Sequence, residues 1–116
     1  MTPEDAAAVM LGFAEVTEEQ PFGPEADVYK VAGKMFAILA PDAAPATVAL
    51  KCEPGLAIHL RQTYEAVIPG YHLNKQHWNT VILDGSIPPD EIREMIEHSY
   101  QRVVAGLPKY VRERLG

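Results

Sequence analysis

Residues Tyr71 to Gly85 read Tyr-His-Leu-Asn-Lys-Gln-His-Trp-Asn-Thr-Val-Ile-Leu-Asp-Gly, which sets polar side chains and the single tryptophan ahead of an apolar run. His72, Asn74, Lys75, His77 and Asn79 are costly to bury without partners. A segment that crowds them around Trp78 is therefore either a solvated loop or a surface that touches something. Their chemistry is that of contact with polyanions. Lys75, with Lys30, Lys34, Lys51 and Arg61 elsewhere in the chain, can neutralise phosphates. Asn74, His77 and Asn79 can donate to sugars or base edges, and Trp78 or Tyr71 can stack on an unpaired base. The competing reading of Trp78 is as the core anchor of its strand.

Catalytic motifs are missing. The histidines His59, His72, His77 and His98, with Cys52, Ser99 and Tyr100, fall into no nucleophile, phosphate-loop or helical His pair pattern. His72 and His77 are spaced for an unspecific shared metal at most. Cys52 follows an alternating strand and reads as a small buried hydrophobe before it reads as a nucleophile. His98 stands four residues after Glu94, a spacing that an exposed helical pair accounts for. A hard metal ion would need clustered carboxylates. Glu4, Asp5, Glu15, Glu18 and Glu19 are split between the ends of the first helix and the loop after it.

Charge is distributed unevenly. The formal net charge is −6, unfavourable for a nucleic-acid binder averaged over its surface. Residues 1–27 hold seven acids and no Lys or Arg, whereas residues 28–83 hold five bases against three acids. A mildly basic middle thus lies between acidic ends, which permits a local anion-facing surface. At 116 residues the chain is expected to form one domain over 1–116. No apolar run reaches the ~18 residues needed to span a bilayer, and the N-terminus lacks a basic signal-peptide start. With one cysteine, a reduced cytoplasmic location is expected.

The elements that must position these residues follow from local patterns. Thr2, Pro3, Glu4 and Asp5 mark a helix start, and Ala6, Val9, Met10 and Phe13 give a buried stripe over about residues 3–16. Residues 17–25 read as a loop. Residues 27–31 and 34–40 form a hairpin around Ala32 and Gly33, and residues 46–52 add a third strand. Tyr29, Val31, Phe36, Ile38, Val48 and Leu50 can share one face, leaving Lys30, Lys34 and Lys51 on the other. The bland account of those lysines is that they solvate an outer face. A helix opens at Glu53 and Pro54 and runs to about Thr63. Residues 64–70 read as irregular, and residues 77–83 as a strand. Ile87 and Ile92 staple the start of the longest helix, whose stripe is Ile92, Met95, Ile96, Tyr100, Val103 and Val104. A short helix closes the chain over 108–115. The order α-β-β-β-α-β-α-α gives an α+β fold, an antiparallel sheet packed by helices.

Asp27-Val-Tyr-Lys-Val-Ala-Gly-Lys-Met-Phe-Ala, Leu50-Lys-Cys-Glu-Pro, Pro69-Gly-Tyr-His-Leu-Asn-Lys-Gln-His-Trp-Asn-Thr-Val, Ser99-Tyr and Leu107-Pro108 together resemble the MmcQ/YjbR family of small bacterial proteins. The resemblance spans nearly the whole chain. It implies a CyaY-like (frataxin-like), double-wing fold and the label DNA-binding, which in much of the family is inferred from fold. By position it points to Lys30, Gly33, Lys34, Lys51, Asn74, Lys75, His77 and Trp78. The expected function is a DNA-binding module of low affinity and little sequence preference, acting as a monomer through Lys30, Lys34, Lys51, Arg61, Asn74, Lys75, His77, Trp78 and Asn79. The alternative is an adapter for a protein or a small ligand without catalysis. No cofactor, metal or membrane partner is expected.

Overall fold

The computed structural model describes residues 1–115. It begins with α1 (Pro3–Leu11), where Thr2 Oγ1 accepts the Asp5 N–H at 3.1 Å and Asp5 returns the bond to the Thr2 N–H at 3.0 Å. This reciprocal cap is the one the Thr-Pro-Glu-Asp start predicts. The helix stops at Leu11, short of the expected residue 16, because Gly12 caps it and Glu15 then takes a left-handed φ of 57°.

Six antiparallel strands follow: β1 (Val16–Glu19), β2 (Asp27–Val31), β3 (Lys34–Ala40), β4 (Thr47–Lys51), β5 (Val67–Pro69) and β6 (Trp78–Ile82), in the spatial order β1-β2-β3-β4-β6-β5. Helix α2 (Pro54–Thr63) lies between β4 and β5, and α3 (Pro89–Ala105) and α4 (Lys109–Leu115) end the chain. The observed order is α-β-β-β-β-α-β-β-α-α, so two expected loops are strands. Both are edges. β1 carries Val-Thr-Glu-Glu with no apolar alternation, and β5 is three residues ending in proline, which only a sheet edge tolerates.

Cross-strand register fixes the faces. Glu19, Val28, Ile38, Ala49, Thr80 and Ile68 form one row across all six strands, and Glu18, Tyr29, Ala37, Leu50, Asn79 and Pro69 form the next. Adjacent rows point to opposite faces. The second row meets the helices, and with it Val31, Leu39, Val48, Val67 and Val81 join the core. Ile38 thus belongs to the outer face, opposite to the side expected for it. Pairing jumps from Tyr29↔Ala37 to Lys30↔Met35, which leaves Phe36 as an extra, bulged residue. The bulge turns Phe36 into the core beside Ala37.

Helix α3 packs onto β3 and β4 through the expected stripe, with Ile92, Met95, Ile96, Tyr100 and Val103 all buried. Ile87 and Ile92, both 2% exposed, staple its start. Tyr100 stacks on Phe13 at 4.6 Å, meets Phe36 edge-on at 5.5 Å, and donates its hydroxyl to the Ala14 carbonyl at 2.9 Å. The fully buried Ser99 is the polar member of this face. Its Oγ accepts the Lys51 N–H at 2.8 Å and donates to the Phe36 carbonyl at 2.5 Å. One hydroxyl therefore spans the place where the β3–β4 pairing ends, since Ala37↔Leu50 is the last paired position on that side. Ser99→Ala would strand both backbone groups away from water, at a cost of about 2–3 kcal/mol. Urea denaturation is expected to show that loss at unchanged m, and a loss below about 0.5 kcal/mol, the size of an ordinary surface change, would contradict the bridge.

Candidate functional site

The residues singled out for polyanion contact separate into three groups. Some are structural. Trp78 is 7% and Asn79 2% exposed. Asn79 Nδ2 donates to the Ala57 carbonyl at 3.3 Å, and its Oδ1 accepts from Arg61 Nε at 2.7 Å, while Arg61 Nη2 donates to the Lys75 carbonyl. These bonds fasten α2 to β6 and to the loop before it. A second group has its charge occupied or directed elsewhere. Lys30 pairs with Glu19 at 3.0 Å, and Lys75 Nζ donates to the Gly70 carbonyl at 3.2 Å. Lys34 is exposed and pairs with Val31 while Lys30 pairs with Met35, so register puts Lys30 and Lys34 on opposite faces. The three lysines expected on one face therefore do not share it.

The third group does gather. Lys51, Asn74, His77 and the edge of Trp78 line a shallow hollow of about 320 Å³, joined by Arg102 from α3. Lys51 and Trp78 are direct cross-strand partners. The loop that supplies Asn74 and His77 is tied down at each end. Gly70 donates to the Trp78 carbonyl at 3.0 Å, and the Cys52 N–H donates to the His77 carbonyl at 2.7 Å. A Cβ at Gly70 would lie 2.8 Å from Trp78 Cβ, so only glycine allows the loop to leave β5 so closely. Asn74 Oδ1 closes the turn by accepting the Gln76 N–H at 2.9 Å. Neither Lys51 nor Arg102 forms an ion pair among the described residues.

A larger cavity opens beside it, between α2 and α3 above the sheet, with a volume of about 420 Å³. Its floor is Leu50, Val67 and Val81, and its walls include Leu56 and Leu60 from α2 and Met95 from α3. Polar groups mark the rim: Glu91, Glu94 and His98 on α3, His59, Thr63 and Tyr64 on or beside α2, and Cys52 and Lys51 at the end of β4. Lys51 lines both hollows. Glu91, Glu94, His98 and Arg102 recur at helical spacing along α3, so charge along the cleft runs from acidic to basic. That stripe was legible as spacing but was masked by the stronger apolar stripe beside it.

Burial pushes the Cys52 thiol up to about 11, with the Glu53 carboxylate adding to the rise. It is therefore a neutral thiol and not an activated nucleophile. The acids near the N-terminus are dispersed: Glu15 pairs with Arg114 at 2.9 Å, Glu18 accepts from the Tyr29 hydroxyl at 2.5 Å, and Glu19 holds Lys30. Among the described residues, no three His, Cys, Asp or Glu side chains stand together as metal ligands.

His98 does not pair with Glu94 as its spacing suggests. Its Nε2 accepts the Glu53 N–H at 3.1 Å, at the residue that caps α2 by accepting from the Gly55 and Leu56 amides. Burial, followed by the positive Arg102 guanidinium, holds the His98 imidazole below its ordinary value of 6.5, against a smaller opposing effect of Glu53. A base depressed in the folded state adds stability that is present above its unfolded value and is lost as pH falls through the folded one. Thermal melts should therefore show stability falling from about pH 6.5 downward. In His98→Ala that segment of the profile should flatten and stability at pH 7.5 should drop. An unchanged profile would refute the assigned role.

Residues 11–102 match the YjbR family model. The Escherichia coli O157:H7 protein YbdF is 36% identical over 108 residues, covering 93% of this chain and 87% of that protein. YjbR of Escherichia coli K12 is 43% identical over 86 residues, covering 74% and 73%. Among solved structures, the Deinococcus radiodurans protein DR2400 superposes with a TM-score of 0.92 at 36% identity, covering 99% of this chain and 88% of that one. A Pseudomonas syringae protein superposes at 0.76 with 26% identity over 88% and 98%. The fold shared with the Deinococcus radiodurans protein and the family match over most of the length agree, and the chain belongs to the YjbR (MmcQ) family.

Proposed function

We propose that this protein is a small-ligand-binding module whose site is the cleft between α2 and α3. The observation that carries the reading is the cavity of about 420 Å³ with an apolar floor and a titratable rim. Its size falls within the ~300–1,000 Å³ typical of small-ligand sites, and an apolar base with polar groups placed to orient a ligand is characteristic of one. Nothing in the cleft is arranged as a nucleophile with its base, so binding without catalysis is the simplest function. The antiparallel sheet with helices on one face is read as the CyaY-like, double-wing arrangement, and the protein as a cytoplasmic monomer.

DNA binding is the second reading. It is favoured by the hollow that holds Lys51 and Arg102 with Asn74 and His77. Two cations without carboxylate partners among the described residues would contact about two phosphates, which limits affinity and makes it insensitive to sequence. The family label agrees with that reading but rests on fold, which is a weak warrant for function.

Two measurements test these readings. Amide shifts of labelled protein titrated with a fragment library are expected to cluster on residues facing the cleft, such as Leu60, Met95 and His98. Shifts scattered over the surface, or none, would refute the ligand-binding reading. For DNA, the log–log salt dependence of affinity is expected to have a slope of about −2. Absence of binding at low salt would reject it.

A further inference from the structure

Resting on that ligand-binding reading, we infer that the ligand is an organic anion with an apolar body, a carboxylate or phosphate monoester. Its body lies on Leu50, Val81 and Met95, and its anionic end is held by Lys51 and Arg102. Lys51, at the end of β4, lines both hollows, and Arg102 of the second lies one turn of α3 beyond His98 of the first. An apolar group loses nothing by entering the cavity, while a charged group can enter only where an opposite charge meets it.

Polarity along the cleft orients the ligand. Glu91 and Glu94 stand at the α3 N-terminal end, one to two turns before His98, and Arg102 lies one turn beyond it. A carboxylate at the acidic end would be repelled, and at the Lys51 end it would gain charge-assisted hydrogen bonds. The carboxylate beside Lys51 in the chain is already engaged. Glu53 is the nearest carboxylate in sequence to Lys51, and it accepts from Gly55 and Leu56 at 2.9 and 2.8 Å. Arg102 guanidinium and Lys51 ammonium thus have no carboxylate within salt-bridge distance among the described residues. Asn74 and His77 border the same end and can donate to a second oxygen.

The test is calorimetry with octanoate, octyl phosphate, octanol and octylammonium on the wild type, on Lys51→Met with Arg102→Met, and on the cavity-filling Val81→Phe. Circular dichroism checks that each variant folds. Octanoate or octyl phosphate is expected to bind at least about tenfold more tightly than octanol and octylammonium, a factor that one charge-assisted bond supplies. The advantage should vanish in the double variant, and Val81→Phe should abolish binding of all four. A preference for octanoate alone indicates a carboxylate, and one for octyl phosphate alone a phosphate monoester. Octanol binding as tightly as octanoate, with both lost in Val81→Phe, overturns the anion assignment and leaves the cleft as the ligand site. Failure of all four probes overturns the anion assignment and counts against the cleft itself.

Discussion

The hydroxyl of Ser99 is the contact on which the rest of the molecule depends. The β3–β4 ladder ends at Ala37↔Leu50, beside the residue that bulges from the β2–β3 pairing, and the chain must still hold the Lys51 amide and the Phe36 carbonyl out of water. A side chain from α3 supplies both partners at once. A backbone donor or acceptor left alone in the interior costs as much as several apolar contacts return. Ser99 therefore fixes the axial position of α3 against the sheet, and Ile92, Met95, Ile96 and Val103 fall into place beside it.

With α3 set in that way, the cleft follows. α2 cannot lie flat against α3 because it is pinned from another direction: Asn79 of β6 bonds the Ala57 carbonyl and the Arg61 side chain. Two helices fastened independently to one sheet leave a gap between them, and the residues at its base, Leu50 and Val81, are ordinary core residues that happen to be uncovered there. His98 links α3 to the α2 cap by accepting the Glu53 N–H. Side chains selected for folding thus build a cavity, and the charged residues at its rim give it chemical direction.

Much of the architecture was legible in the sequence because it is written in local periodicity. The capped start of α1, the hairpin at Ala32 and Gly33, and the stripe of α3 all obey rules that act within a few residues. The edge strands were not legible. Val16 to Glu19 is strand because Tyr29 and Lys30 receive Glu18 and Glu19 across the sheet, a contact between residues more than ten apart. The site was legible only in part. Lys51, Asn74, His77 and Trp78 come together, but Arg102 joins them from a helix more than 20 residues further on in sequence. Lys30, Arg61 and Asn79 looked available by composition and are occupied by partners that only the fold supplies.

The most direct test of the central claim, that Ser99 locks α3 to the sheet and so fixes the cleft, is native-state hydrogen exchange at the Lys51 amide. That amide ends a ladder and would fray with the strand if Ser99 did not hold it. Exchange of Lys51 only through global unfolding, as slow as that of the amides at the centre of β3, is the predicted result. Exchange at the rate of an exposed loop amide, with the β3 interior still protected, would show that the bridge does not hold and that the cleft has no fixed wall.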